Sequence, residues 1–395
     1  MSSTIDSIDI HCPFDAHLHL RQPGQLLELV VTQITTGGIQ SAYVMPNTVP
    51  PITSLEMAVS YRQTLESLEP SVQFFLSLYL SPSLTPEDIR QAKSSGVTGV
   101  KSYPRGVTTN STEGVESYEI YYPVFEAMEE ENLVLNLHGE VPSSETGDTC
   151  VWNAESKFLP KLLEIHRRFP KLRIILEHAT TRQAIEAVRA CGPTVACTIT
   201  LHHLSLTIDD WAGNGLNYCK PVAKSPDDRE ALRQVIREGH PRFFLGSDSA
   251  PHPLDRKLPK TCTECCAAGI YTSAYLLPTL ASIFESAVPP PLAGQGSSGI
   301  EGRTIHSPIP LERLPDFAST FGRQFYQLPI PVNPRTVTLI RDPSASILQS
   351  FEHHYPHTSS DNDSSSISSA LSQSQKKSVS LVPFWSGRFV GWKIK

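Results

Sequence analysis

The 395-residue chain has no long basic run, and its formal charge is −7. Nothing in that balance favours nucleic acid or an anionic membrane surface as a partner. No uninterrupted apolar segment approaches the roughly 18 residues of a membrane span. The opening stretch "MSSTIDSIDI" lacks the basic end and apolar run of a signal peptide. These absences lead to the expectation of a soluble, cytoplasmic protein. No glycine-rich phosphate loop follows the first strand-like segment, which counts against an open, doubly wound nucleotide fold. Eight cysteines are present. Without a secretory signal they read as free thiols rather than disulfides. The cluster "CTECC" (262–266) has no second CxxC and no histidine pair at finger spacing, which argues against a structural zinc.

What is present is alternation. Up to about residue 286, short β-rich runs are each followed by a polar or helical segment. The strand candidates are 14–20, 42–45, 74–80, 99–103, 133–138, 173–178, 195–200 and 243–247. They are rich in Val, Ile, Leu and Phe, as strands buried on both faces should be. Helices are predicted over 54–68, 85–95, 154–169 and 225–239. Thr85 and Ser225 are capping residues, Pro86 suits the first helical position, and Gly239 is a stop. Pro160 argues for a kink or a late start in the third helix. Eight strand–helix repeats predict an α/β fold, a (β/α)8 TIM-type barrel, as a single domain over 1–395.

The last third reads differently. Segments at about 286–310 and 351–378 are rich in Pro, Gly and Ser or nearly all polar, so both are expected to be mobile insertions. The apolar, aromatic end 381–395 is expected to dock on the body.

The stretch "FDAHLHLRQPG" (14–24) places Asp15, His17, His19 and Arg21 at every second position. Strand residues two apart share a face, so His17 and His19 point the same way. Two neutral imidazoles side by side can share a metal ion. An ordinary pair of core or surface histidines is the competing reading. Position favours the metal. Lys101, His138, His178 and Asp248 stand at the ends of other predicted strands, and in a (β/α)8 barrel those ends converge on the active-site face. Lys101 is the odd member, because an ammonium group repels a cation. Either its pKa is strongly lowered or it is chemically altered. As a carbamate it becomes an anion able to bridge two metal ions. A Schiff-base lysine is the alternative. His202 and His203 read as structural, and His353, His354 and His357 as solvated.

The ordered motifs "DAHLHLR" (15–21), "YVMPNTVPPIT" (43–53), "VKSYPRGVTTNS" (100–111), "LNLHGE" (135–140), "IILEH" (174–178), "NYCKPVAK" (217–224) and "FLGSDSAPH" (244–252) resemble the single-function dihydroorotases of bacteria and fungi, in the amidohydrolase superfamily. The resemblance implies two Zn2+ ions. His17, His19 and Asp248 match ligands of one, His138 and His178 ligands of the second, and carboxylated Lys101 the bridge. Arg21, Asn47 and His252 match groups that hold the substrate carboxylate and ring. Thr108 and Thr109 match a mobile loop that closes on the substrate. Lys220, through its backbone, and Ala268 match further contacts with the ring, and His138 also borders the substrate.

The activity implied is reversible closure of N-carbamoyl-L-aspartate to L-dihydroorotate and water, a step of de novo pyrimidine synthesis. Asp248 is then the proton carrier. The implied partner is this small molecule, with a homodimer compatible with the family. A related cyclic amidohydrolase, such as a hydantoinase or dihydropyrimidinase, is the enzyme alternative, although Arg21 and Asn47 suit a ring bearing a carboxylate. A non-catalytic barrel scaffold is the other, although all six implied ligands are present. The role of Asp15 is left open.

Overall fold

The computed structural model describes residues 5–261, 265–290, 308–354 and 378–395. The chain enters through an outlying strand, β1 (Ser7–His11), and then begins a parallel sheet. That sheet comprises β2 (Phe14–Leu18), β3 (Ser41–Val44), β4 (Gln73–Tyr79), β5 (Val97–Ser102), β6 (Val134–His138), β7 (Arg173–Glu177), β8 (Val195–Ile199) and β9 (Phe243–Leu245). Each strand pairs with the next in sequence order. The ring closes where Asp248 N donates to His17 O at 2.8 Å and His19 N donates to Ser249 O at 2.9 Å. The fold is thus the (β/α)8 barrel that the alternation predicted, with every strand residue of β2, β3, β6 and β8 buried.

The helices begin where their caps dictate. Ser225 and Asp228 form a reciprocal capping box at the start of Pro226–Arg237, and Thr85 and Asp88 do the same for Pro86–Ala92. Helix Ala154–Arg168 starts on time and runs through Pro160, so of the two expectations, a kink or a late start, the late start does not hold. An interior proline costs about 3 kcal/mol. Burial of Phe158, Leu159, Leu162 and Ile165 against the barrel offsets that, at roughly 1.5–3 kcal/mol per side chain.

Two apolar regions result. The larger lies between strands and helices, and the smaller fills the barrel around Phe14, Ala16, Tyr43, Val134, Ile175, Ala196 and Phe244. Tyr326, from helix Phe321–Tyr326, joins the inner cluster. Beside the barrel, β1, β10 (Thr336–Arg341) and β13 (Trp392–Ile394) form an antiparallel sheet. Trp392 is fully buried and donates its indole N–H to Glu285. Strands β11 (Phe351–His354) and β12 (Ser378–Leu381) pair with each other, and Phe384 N donates to Tyr271 O at 2.7 Å. Most of the two expected insertions, 291–307 and 355–377, lies outside the described residues, as do His357 and Cys262. The seven described cysteines are free. No described helix is long and apolar enough to cross a membrane.

Candidate active site at the barrel mouth

The polar groups gather at the C-terminal ends of the strands. His17 is on β2, Lys101 is the next-to-last residue of β5, and His138 ends β6. His19, His178 and Asp248 come just after their strands. His17, His19 and Asp248 each offer one ligand atom within 4.8 Å of the others, all buried. Asp248 Oδ1 lies 3.0 Å from His19 Nε2 and 3.4 Å from His17 Nε2. The His178 ring stands 5.1 Å from that of His17 and 4.7 Å from that of His138, centroid to centroid. One side of the barrel mouth therefore presents His17, His19 and Asp248, and His178 joins them to His138.

Several buried nitrogens there have no hydrogen-bond partner among the described residues: His17 Nε2, His178 Nδ1 and Lys101 Nζ. Buried polar atoms are normally satisfied, and leaving one unpaired costs about 1–3 kcal/mol. Three such atoms facing one cluster of ligand-type groups suit a bound cation. Lys101 is fully buried, and burial lowers its pKa to about 8 despite the nearby carboxylates of Glu177 and Asp248. An appreciable fraction is therefore the neutral amine near pH 7, the form that adds carbon dioxide. Burial lowers His19 to about 4, so its imidazole is neutral and free to ligate. Burial alone would push Asp248 up, but the imidazoles of His19 and His17 packed against it bring its carboxyl below the usual range.

The ligand side chains are themselves held. His17 Nδ1 lies 2.7 Å from Glu177 Oε2, which fixes the ring with Nε2 toward the pocket. His138 Nε2 lies 2.8 Å from Glu140 Oε2, and His19 Nδ1 lies 2.6 Å from Asn47 Oδ1. Gly246 lets the β9 end approach closely: a Cβ there would fall 2.7 Å from Thr198 Cβ and 2.9 Å from His17 Cβ. Arg21, His178 and Asp248 adopt positive φ of 72°, 40° and 46°. Non-glycine residues rarely take that region, and such strain concentrates at functional sites.

The pocket above is lined by His19, Arg21, Asn47, Thr108, Thr109, His138, His178, Lys220, Asp248 and Ala268 from the sequence-derived set. Tyr103, Ala250 and Gly269 complete the lining. His17 and Lys101 lie beneath, fully buried. Arg21 Nε donates to Pro251 O at 2.9 Å, and its Nη2 is 3.0 Å from His252 Nε2. His252 Nε2 is also 3.0 Å from Ala268 O, so it braces the wall behind the pocket. The segment carrying Thr108 and Thr109 lies across the mouth. Asn47 Nδ2 donates to Thr109 O at 3.1 Å, Asn110 Nδ2 to Asn47 O at 2.9 Å, and Lys220 Nζ to Val107 O at 2.8 Å.

Asp15 does not share the face of His17 as strict alternation required. The register of β2 shifts between Asp15 and Leu18, and Phe14 and Ala16 take the inner positions. Asp15 instead accepts hydrogen bonds from Ser247 N at 2.8 Å, Ser247 Oγ at 2.5 Å and His17 N at 3.1 Å. It thereby ties Ser247, the residue before Asp248, to β2 at the seam. Burial raises its pKa to about 6.

His203 is bonded on both nitrogens, to Thr200 Oγ1 and Pro221 O. His202 is fully buried with neither nitrogen partnered among the described residues, and the two rings lie close to Cys219. Glu177, Glu140 and Tyr103 escaped the sequence reading. The available signal was an acid in or beside an apolar strand next to a candidate ligand, as in "RIILEH" and "LNLHGE".

Comparison with known proteins accords with this geometry. The amidohydrolase family model matches residues 68–238. A dihydroorotase of Mycosarcoma maydis is 46% identical, covering 99% of both chains. The crystal structure of dihydroorotase from Saccharomyces cerevisiae in complex with 5-fluoroorotic acid superposes with a TM-score of 0.80, at 38% identity and 99% coverage of both chains. An L-hydantoinase (dihydropyrimidinase) from Arthrobacter aurescens reaches a TM-score of 0.68 at 19% identity, over 87% of this chain and 78% of its own, which shows the shared fold alone.

Proposed function

The chain belongs to the dihydroorotase family of cyclic amide hydrolases, and from that premise we propose how its barrel mouth interconverts N-carbamoyl-L-aspartate and L-dihydroorotate. The observation that carries the reading is the convergence of His17, His19 and Asp248 beside the unpartnered Lys101 Nζ. Imidazoles, a carboxylate and a lysine of lowered pKa form a donor set suited to zinc. In this reading His17, His19 and Asp248 hold one Zn2+ and His138 and His178 a second. Lys101 would join this donor set as a carbamate, formed if its neutral Nζ added carbon dioxide and released a proton. Bound zinc supplies Lewis acidity, polarising the ring carbonyl and making water nucleophilic near neutral pH.

The remaining work belongs to the chain. Arg21 grips the substrate carboxylate, and its Nε bond to Pro251 O aims the guanidinium. Asn47 and His252 flank that grip, while Lys220 and Ala268 border the ring. The segment with Thr108 and Thr109 covers the pocket and excludes water. In the hydrolytic direction water adds to the ring carbonyl carbon. Asp248 Oδ1 accepts the proton that water releases and returns it to the ring nitrogen as the C–N bond breaks. In the synthetic direction the same carboxyl takes the proton of the attacking ureido nitrogen and gives it to the departing hydroxyl, which leaves as water. Purified protein is expected to interconvert the two compounds in both directions. Absence of turnover in metal-replete protein would overturn the proposal.

A further inference from the structure

We propose that Tyr103 donates its phenolic hydrogen directly to a substrate oxygen, deepening the assignment of this pocket to dihydroorotate chemistry and resting on it. Tyr103 follows β5, two residues beyond Lys101, and lines the same pocket as Arg21, Asn47, His138 and Asp248. Its side chain is 1% exposed, and its hydroxyl has no hydrogen-bond partner among the described residues. A buried hydroxyl in that state is costly unless a ligand satisfies it.

The ring is not free to swing elsewhere. It stacks on Tyr79 at 5.3 Å between centroids with a 26° interplanar angle, and it borders His138 at 6.2 Å. Lys101 Nζ stands 5.1 Å from its centroid. Its carbonyl accepts Val115 N at 2.7 Å, which anchors the base of the segment bearing Thr108 and Thr109. A fixed phenol in a pocket of cationic and carboxylate groups is a preorganised donor. The acceptor it suits is a carbonyl or carboxylate oxygen of the cyclic amide, where the bond needs no rearrangement of the protein.

The test is Tyr103→Phe, compared with the unmodified protein in four readouts: thermal unfolding, metal content, affinity for orotate and kcat/KM with dihydroorotate. Orotate serves as a planar analogue that is not turned over. The expected result is unchanged metal content, an unfolding temperature equal or higher, and at least tenfold loss in both orotate affinity and kcat/KM. The free protein loses no partner, so a purely structural role is not expected to show this pattern. Equal affinity and kcat/KM would overturn the proposal while leaving the dihydroorotate reading intact. A lowered unfolding temperature with metal loss would also overturn it, by marking a structural role. Failure of the unmodified protein to bind orotate or turn over dihydroorotate would overturn the reading of the pocket and the proposal with it.

Discussion

Glu177 Oε2 lies 2.7 Å from His17 Nδ1, both side chains buried at the centre of the barrel. The same carboxylate accepts from Thr198 Oγ1 at 2.5 Å and from Asn136 Nδ2 at 2.6 Å. Asn136 in turn accepts from Tyr43 Oη at 2.9 Å and donates to Tyr326 Oη at 2.6 Å. A candidate ligand is thus tied through a carboxylate to the inner core and to the helix that joins it.

Glu177→Gln is expected to weaken metal binding by roughly 10–100-fold, the usual effect of losing such a carboxylate partner. The amide can still accept from His17, but it cannot offer the same charge. Competition with a chelator of known affinity measures the change. Affinity equal to that of the unmodified protein would contradict the positioning role.

Arg21→Met is expected to lower kcat/KM for dihydroorotate by about 30-fold or more, since breaking a buried charged pair typically costs about 2–5 kcal/mol. Arg21 is buried and contacts Pro251 and His252 rather than the candidate ligands. Its loss therefore leaves metal content unchanged. Kinetics and metal analysis on one sample check both halves, and unchanged kcat/KM would remove Arg21 from substrate binding.

Acid is expected to destabilise the fold through His202. Burial lowers its pKa to about 4 from an ordinary 6.5, so the folded chain keeps it neutral where the unfolded chain protonates it. The unfolded state then binds more protons between pH 6.5 and 4, and stability falls as pH falls through that window. The contribution is on the order of 3 kcal/mol. Denaturant titrations from pH 7 to 4 measure the slope. His202→Asn is expected to flatten it, and an identical slope in the variant would refute the assignment.

Much of this was legible in the sequence. Val-, Ile- and Leu-rich runs between capped helices specify a parallel barrel, and barrel topology then gathers His17, His19, Lys101, His138, His178 and Asp248 at one end. Thr85 and Ser225 were readable because a cap is a local event of three or four residues. The misses were non-local or depended on backbone irregularity. The register shift in β2 moved Asp15 off the face of His17, and no periodicity reports such a shift in advance. Glu177 and Tyr103 acquire meaning only from strands distant in sequence that bring His17, Tyr79 and Asn136 against them. Pro160 does not delay the start of its helix, because helix propensity yields to the burial of a whole apolar face.

The central claim is that Lys101 belongs to a two-metal centre, and metal counting in matched preparations tests it most directly. Unmodified protein and Lys101→Ala, both purified without chelator and checked for folding, are analysed for zinc per chain. The account predicts about two per chain in the former. It predicts marked loss in Lys101→Ala, together with loss of turnover that short carboxylic acids partly restore. No zinc in the unmodified protein, or full stoichiometry retained in Lys101→Ala, would contradict it.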